Sequence, residues 1–216
     1  MADHVYKPSE VPKGQRWQHF LDYYKTPFIV GVLLIIAAIF ILRTIVFAPE
    51  KDVTILMASE QYIDYEITGS LNEDFQSMPL DFDGDGEVLI SFDFVHLDPT
   101  AQPQDPEYYK AQQMKLMAVL SSATTALQVV DEALYEYLAE EELIGTYGEL
   151  SDTYGHPPEE AIKIPLKELR PFSKHQTLPD GLFMTLRPKE AMLLGNSEKK
   201  LEKYYTQVEA LELMIQ

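Results

Sequence analysis

An uninterrupted apolar segment near the N-terminus constrains this chain more than any other feature. It reads TPFIVGVLLIIAAIFILRTIVFAP (residues 26–49), and no charged residue lies between Lys25 and Arg43. As a helix, residues 27–48 would span roughly 33 Å at about 1.5 Å per residue, close to the roughly 30 Å of a bilayer core. The segment is apolar on every side, which disfavours a half-exposed surface helix and leaves a buried core helix as a minor alternative. We predict a transmembrane helix over residues 26–48.

A cleaved signal peptide is the other alternative for this segment. Val46 and Ala48 are small enough to flank a cleavage site, but Pro49 follows immediately and should block cleavage. The apolar run is also longer than a typical signal-peptide core. We therefore expect the segment to be retained as an anchor.

Charges on the two sides of the segment predict its orientation. Four basic residues precede it, and two acids with one lysine follow it: Lys7, Lys13, Arg16 and Lys25 before, and Glu50, Lys51 and Asp52 after. By the positive-inside rule, residues 1–25 form a cytoplasmic juxtamembrane segment and residues 49–216 an extracytoplasmic domain. The predicted location is the cell membrane, with a single pass and a cytoplasmic N-terminus.

The outer domain is strongly acidic. The chain has 17 Lys and Arg and 35 Asp and Glu. Residues 1–47 contain five of the basic and three of the acidic residues, so residues 48–216 carry a net charge of −20. Nucleic acid and anionic lipid would repel such a domain, which excludes nucleic-acid binding. The chain has no cysteine, which excludes disulfides, thiolate catalysis and zinc–thiolate sites.

Apolar patterns in the outer domain alternate between strands and helices. Short apolar or β-branched runs predict strands at residues 52–58, 87–95, 126–131, 161–166 and 181–188, with Pro165 favouring a sheet edge for the fourth. Helical periodicity and caps predict helices at residues 59–75, 107–122, 132–143 and 197–216. This order predicts the α/β class: a single three-layer domain with a mainly parallel sheet between helices.

Two of the predicted helices carry apolar stripes. On the helix at 107–122 the expected inner face is Tyr109, Gln113, Leu116, Met117 and Leu120. On the last helix the stripe is Leu201, Tyr204, Val208 and Leu211. Packing against the sheet is the preferred interpretation of the last stripe, and a partner-binding face is the alternative.

The stretch MKLMAVLSSATTALQVVDEALYEYLAEEELIGTYGELSD (residues 114–152) is the most recognisable part of the chain. An amphipathic helix ends in small polar residues, a short buried strand closes on an acid, and a helix of the form L-x-x-x-L-A-E-x-x-L follows. This stretch resembles the first lobe of type 2 periplasmic (extracellular solute-) binding proteins. The resemblance covers about residues 52–152, with a further match at residues 178–188. Ser122-Ala123 stands where the family commonly has Ser-Gly, and the spacing from Leu134 to Leu138 is one residue longer.

The resemblance implies a periplasmic-binding-protein-like lobe without the second lobe that closes over a ligand. Ligands of doubly wound sheets bind at the carboxyl ends of the strands. Ser59, Glu60, His96 and Asp131 fall there and are the candidate ligand-binding residues.

An aspartate-rich loop precedes the second predicted strand. Asp81, Asp83 and Asp85 occupy positions one, three and five of a calcium-loop pattern, and Glu87 would offer its carbonyl. Position twelve is Phe92 rather than an acid. Two interpretations stay open: a polar turn, which we prefer, and a turn that also holds a weakly bound calcium ion. No other cofactor is expected.

Motifs of catalysis do not occur. The five histidines show no H-E-x-x-H pattern, and there is no G-x-S-x-G or phosphate-binding glycine motif. We expect a non-enzymatic binding or scaffold module, anchored in the membrane and acting with a transporter or an envelope protein. The alternative is a purely structural or oligomerising envelope protein without small-molecule binding.

Overall fold

The structure is a computed structural model. It describes the chain in three stretches, residues 16–46, 50–100 and 102–216. The predictions that concern the N-terminal lysines and the cleavage junction fall on residues 1–15 and 47–49, which lie outside the described residues.

The first of two units in the chain, residues 1–49, contains the helix α1, Arg16–Val46. Its window from Lys25 to Leu42 is long and apolar enough to cross a membrane. The large apolar side chains of this window are exposed, whereas a core helix would bury them. Such a helix is typical of a membrane anchor and also of a signal sequence.

The second unit, residues 50–216, is built on one five-stranded sheet. The strands are β1 (Val53–Ser59), β2 (Ile90–His96), β3 (Leu127–Val130), β4 (Ile164–Pro165) and β5 (Phe183–Leu186). Their order across the sheet is β2-β1-β3-β5-β4, so Pro165 lies at an edge, as expected.

The sheet is mixed: β1, β2, β3 and β4 run in one direction, and β5 alone runs against them, so the predicted mainly parallel sheet contains one antiparallel strand. β1 pairs in parallel with both β2 and β3, but β5 pairs antiparallel with both β3 and β4. Parallel neighbours need a crossover, usually a helix, between them. β4 leads into a 3₁₀ turn and loops instead of a helix, and the chain returns along the sheet in the opposite direction.

Helices cover both faces of the sheet. They are α2 (Ile67–Phe75), α3 (Pro106–Leu120), α4 (Glu132–Glu140) and α5 (Glu198–Ile215). Alternate residues of β1 point to opposite faces: Ile55 and Met57 pack with α2 and α5, whereas Leu56 and Ala58 pack with α3 and α4. The unit therefore has three layers, helix–sheet–helix, as predicted.

The connections of the parallel strands create a switch point in the sheet. β1 connects to β2, its neighbour at the sheet edge, and β2 connects to β3, which lies on the other side of β1. The crossovers β1–α2–β2 and β2–α3–β3 run in opposite directions along the sheet. Because such crossovers have the same hand, their helices must lie on opposite faces, and α2 and α3 do so. The loops after β1 and β3 consequently diverge at the carboxyl ends of these strands, where open α/β sheets bind ligands.

The helix predicted over residues 59–75 is wrong in its first half. Ser59 ends β1 instead of capping a helix, and α2 begins only at Ile67. The Ser59 hydroxyl accepts a hydrogen bond from the Gln61 N–H and donates one to Asp131 across the sheet, so the chain turns there before any helix forms.

The apolar stripe on α5 is part of the hydrophobic core, which confirms the preferred interpretation. Tyr204, Val208 and Leu211 are buried, and Leu201 packs against them partly exposed. The Tyr204 hydroxyl donates a hydrogen bond to Glu149. This stripe is therefore not a free partner-binding face.

Candidate functional site

Three strand ends meet at the switch point. Ser59 and His96 are register partners at the ends of β1 and β2, and the pairing of Ala58 with Val130 brings Asp131 opposite Ser59. The four residues predicted to bind a ligand, Ser59, Glu60, His96 and Asp131, thus lie together along one edge of the sheet. Their role in ligand binding stays a prediction.

The carboxylate of Asp131 organises this edge. Its Oδ2 accepts hydrogen bonds from the Ser59 hydroxyl (2.9 Å) and the Glu60 N–H (2.6 Å). Its Oδ1 accepts from the Leu134 N–H (3.1 Å), which caps α4. Ser59 is fully buried and Asp131 is 6% exposed, so both groups are withdrawn from solvent and satisfied by the protein itself.

His96 links the network to a group of aromatic rings. Its Nε2 lies 3.2 Å from the Glu60 carbonyl oxygen, and its Nδ1 lies 3.4 Å from the Tyr108 hydroxyl. A carbonyl oxygen can only accept, so a hydrogen bond to Glu60 requires the proton on Nε2, and in the neutral ring Nδ1 would then accept from the Tyr108 hydroxyl. The Tyr62 ring packs edge-on against His96 at 5.8 Å between centroids, and Tyr62 is itself exposed.

The arrangement braces the strand ends rather than activating a nucleophile. A serine nucleophile needs a base within hydrogen-bond reach that can take its proton. Within the described stretches, Ser59 donates to a carboxylate that also holds two backbone amides, and the His96 nitrogens point to other partners. The edge can present Glu60, His96 and the tyrosines to a ligand, while Ser59 and Asp131 hold the edge in place.

The aspartate-rich loop is a turn closed by its own carboxylates. Asp81 accepts hydrogen bonds from the N–H groups of Gly84 (2.8 Å) and Gly86 (3.0 Å). Asp83 and Asp85 each accept from the N–H two residues ahead, at 3.1 and 2.8 Å. Gly84 and Gly86 have φ of 75° and 89°, a region that glycine enters without cost. The turn interpretation therefore describes the geometry of this loop.

The carboxylates that lie close together are not the set that the sequence suggested. Asp81 and Asp83 group with Asp52, with ligand atoms within 4.8 Å of one another, and Asp85 and Glu87 are not members of this group. The Asp85 N–H lowers the pKa of Asp83, but burial and the carboxylates of Asp85, Asp52 and Asp81 outweigh it and raise the pKa above its ordinary value. Calcium binding by the loop stays a prediction.

An apolar groove of about 730 Å³ lies on the other helical layer, between α3 and α4. Leu97, Leu116 and Leu134 lie at its base, where they belong to the buried core. Met114 and Met117 of α3 are 64% and 51% exposed, and Tyr137 of α4 is 36% exposed. Exposed apolar surface that is gathered in one concave patch is typical of a docking site.

Sequence reasoning missed this groove because it assigned one apolar stripe of α3 to the core. Leu116 and Leu120 are buried as expected, but Met117 and Gln113 are exposed, which corrects the predicted inner face. The signal was available: Met114 and Met117 extend the apolar arc of α3 well beyond the width that one sheet contact buries.

Comparisons with protein-family models, with curated proteins and with solved structures find no match to this chain.

Proposed function

We propose that the protein is a membrane-anchored extracytoplasmic module that binds a protein partner and has no catalytic role of its own. The observation that carries this proposal is the exposed apolar groove between α3 and α4. A methionine-rich concave surface next to a rigid sheet can bind an apolar element of another protein, because methionine side chains adapt to irregular partners.

The helix α1 supports the membrane anchor. Residues 25–42 have the length and composition of a membrane-spanning segment. The lysines and arginine before this segment and the net charge of −20 after it support a cytoplasmic N-terminus and an extracytoplasmic unit. A partner in the membrane or the envelope, such as a transporter subunit, fits this location.

The strand-end network supports a binding role over an enzymatic one. Ser59 and Asp131 satisfy each other, while Glu60 and Tyr62 are exposed beside the half-buried His96, an arrangement that suits a recognition surface. The sequence resemblance of residues 52–152 to one lobe of a solute-binding protein is a further ground for proposing a binding role.

Site-specific photocrosslinking in living cells tests the proposal. A photoreactive phenylalanine derivative replaces Tyr137 in the groove or, as a matched control, Tyr205, which is 52% exposed on the opposite helical layer. We expect a discrete crosslinked protein at position 137 and none of the same size at position 205. Crosslinks only between copies of the chain would instead support the oligomerising alternative, and no crosslink at position 137 would overturn partner binding.

The orientation has a separate test, since the chain has no cysteine. Single substitutions Ser9→Cys and Glu209→Cys place one thiol on each side of the predicted span. A membrane-impermeant maleimide should label Glu209→Cys in intact cells and Ser9→Cys only after lysis. The reverse pattern would invert the orientation, and labelling of neither before lysis would remove the extracytoplasmic placement.

A further inference from the structure

We propose that the α3–α4 groove receives an amphipathic helix of the partner whose apolar stripe is bordered by lysine or arginine. This inference rests on the proposed function and specifies the chemistry of the partner. Its two observations are the shape of the groove and an acidic rim along α4.

The groove has the form that accepts a helix. α3 and α4 both follow parallel strands of the sheet and lie on the same face, so they run side by side in the same direction. Met114 and Met117 on α3 and Tyr137 on α4 form the exposed walls. A third helix that places apolar residues at i, i+3, i+4 and i+7 between these walls would bury them in the way of helix-in-groove recognition.

One side of the groove carries uncompensated negative charge. Glu140 and Glu141 follow Tyr137 by three and four residues and therefore share its face of α4. Glu136 precedes Glu140 by four residues, a spacing at which like charges destabilise a helix. All three are exposed, and none forms an ion pair among the described residues. The helix thus keeps a repulsive acidic row that its own chain does not neutralise.

Charge complementarity selects the partner among the possible occupants of an apolar groove. Lys110 is the one cation among the residues that line the groove, and it lies in the first turns of α3, away from the acidic end of α4. A second copy would bring two units of net charge −20 together, and an anionic lipid surface would meet the same repulsion. A helix with basic flanks gains both the apolar contacts and attraction to Glu140 and Glu141.

A designed peptide tests this chemistry directly. The probe is a fluorescent helix of about 18 residues with leucine at i, i+3, i+4 and i+7 and lysine elsewhere. Two control peptides have glutamate for every lysine, or the same composition in scrambled order. The full chain is held in zwitterionic nanodiscs, because basic amphipathic helices bind anionic lipid by themselves, and empty nanodiscs give the blank. Fluorescence anisotropy gives the Kd.

Matched variants locate the binding. Met114→Ser with Met117→Ser should raise the Kd for the lysine peptide by at least about tenfold, while Leu193→Ser, at an apolar position 67% exposed outside the groove, should leave it within about twofold. Glu140→Gln with Glu141→Gln should weaken binding and flatten its salt dependence. Glu202→Gln with Glu209→Gln removes the same charge from α5 and should do neither.

The outcomes separate this inference from the proposed function. Equal binding of the glutamate or scrambled peptide, or equal Kd values for groove and control variants, would overturn the basic-helix inference. If the lysine peptide failed to bind while position 137 still crosslinked to a partner in cells, the docking function would stand and only the partner's chemistry would be wrong. Failure of both experiments would remove both.

Discussion

The Ser59 hydroxyl donates a hydrogen bond of 2.9 Å to Asp131 Oδ2, joining two residues that are 72 positions apart in the chain. The same carboxylate accepts the Glu60 N–H and the Leu134 N–H. One buried side chain therefore fixes the end of β1 to the start of α4. This contact holds together the strand ends at the switch point, and α4, which forms one wall of the groove, starts from it.

We expect Asp131→Ala to lower the free energy of unfolding by about 2–4 kcal/mol, because it removes a helix cap and leaves buried donors unpaired. Ser59→Ala should cost about 1 kcal/mol, and the double variant should lose less than the sum, since the two share one interaction. Urea denaturation of the full chain in detergent, followed by circular dichroism, measures each value. Asp105→Ala is the control: it removes the exposed cap of α3 and should lower the free energy of unfolding by about 1 kcal/mol. If Asp131→Ala lowered the free energy of unfolding by no more than this, the bracing role of Asp131 would be contradicted.

The guanidinium of Arg187 is buried and donates to four backbone carbonyls. They belong to Leu120 (2.6 Å), Ala191 (3.0 Å), Thr125 (3.2 Å) and Ser122 (3.3 Å). Burial lowers the pKa of Arg187. Within the described residues no carboxylate pairs with it, so the carbonyl dipoles, including one at the C-terminus of α3, supply its compensation.

Arg187→Met should therefore lower the free energy of unfolding by about 3–5 kcal/mol, because several buried carbonyls lose their donor at once. Arg187→Lys should recover only part of this loss, since an ammonium group cannot reproduce the planar fork. Arg170→Met, at an exposed position, should change the value by less than about 0.5 kcal/mol. The same urea denaturation measures all three, and a similar effect at both arginines would contradict this role for Arg187.

The layers of the fold could be predicted from the sequence, and the reversed direction of β5 could not. Runs such as VTILMAS and LQVV are apolar on both faces, which identifies central strands with helices on each side. Nothing in FMTL distinguishes a parallel from an antiparallel neighbour, because strand direction depends on the connection. The segment between β4 and β5 lacks an α-helix, and that decides the direction.

The polar edge of the sheet was predictable, whereas for the groove the sequence showed only the wide apolar arc of α3 and not how the two helices are spaced. Ser59, His96 and Asp131 follow three apolar strands, and strand ends in a parallel arrangement share an edge. The exposure of Met117 depends on how far α3 lies from α4, which is set by packing across the layer rather than by the periodicity of either helix. The grouping of Asp52 with Asp81 and Asp83 likewise depends on a contact across 30 positions, between Asp52 and the Phe82 N–H.

Asp81 provides a test of the turn interpretation. Asp81→Ala should lower the free energy of unfolding by about 1 kcal/mol, because Gly84 and Gly86 lose their acceptor. The loss should be the same with chelator and with millimolar calcium, and Glu87→Ala, outside the carboxylate group, should have little effect. Thermal melting in both solutions measures it. A loss confined to the calcium sample would show that the carboxylate serves a metal ion instead.

The contacts of Asp74 with Lys174 and His175 should make the stability of the protein depend on pH. Hydrogen bonds from Lys174 (3.0 Å) and then His175 (2.9 Å) lower the pKa of Asp74 below its ordinary 3.8. Since the folded-state pKa is depressed, the contribution of Asp74 is complete above 3.8 and is lost as the pH falls through the lower folded-state value. Asp74→Asn should lower the melting temperature near neutral pH, and the difference should shrink to zero in stronger acid. Glu73→Gln, the exposed neighbour, should show no such pH-dependent difference.

Glu142 occupies a position that favours glycine, directly after α4. Its φ is 58°, and the bonds from Glu142 N–H to Ala139 O (3.1 Å) and from Leu143 N–H to Leu138 O (2.8 Å) form a Schellman ending. A left-handed conformation costs a non-glycine residue about 1–2 kcal/mol, and the extra freedom of glycine in the unfolded chain offsets about half of that. Glu142→Gly should therefore raise the free energy of unfolding by about 0.5–1 kcal/mol.

The control is Glu141→Gly, one position earlier at φ of −86°, where glycine relieves no backbone strain and should lower the free energy of unfolding. Urea denaturation of the two variants measures the contrast. A stabilising Glu141→Gly would show that removal of a negative charge from the C-terminus of the helix dominates, and a destabilising Glu142→Gly would contradict the cost assigned to the left-handed conformation.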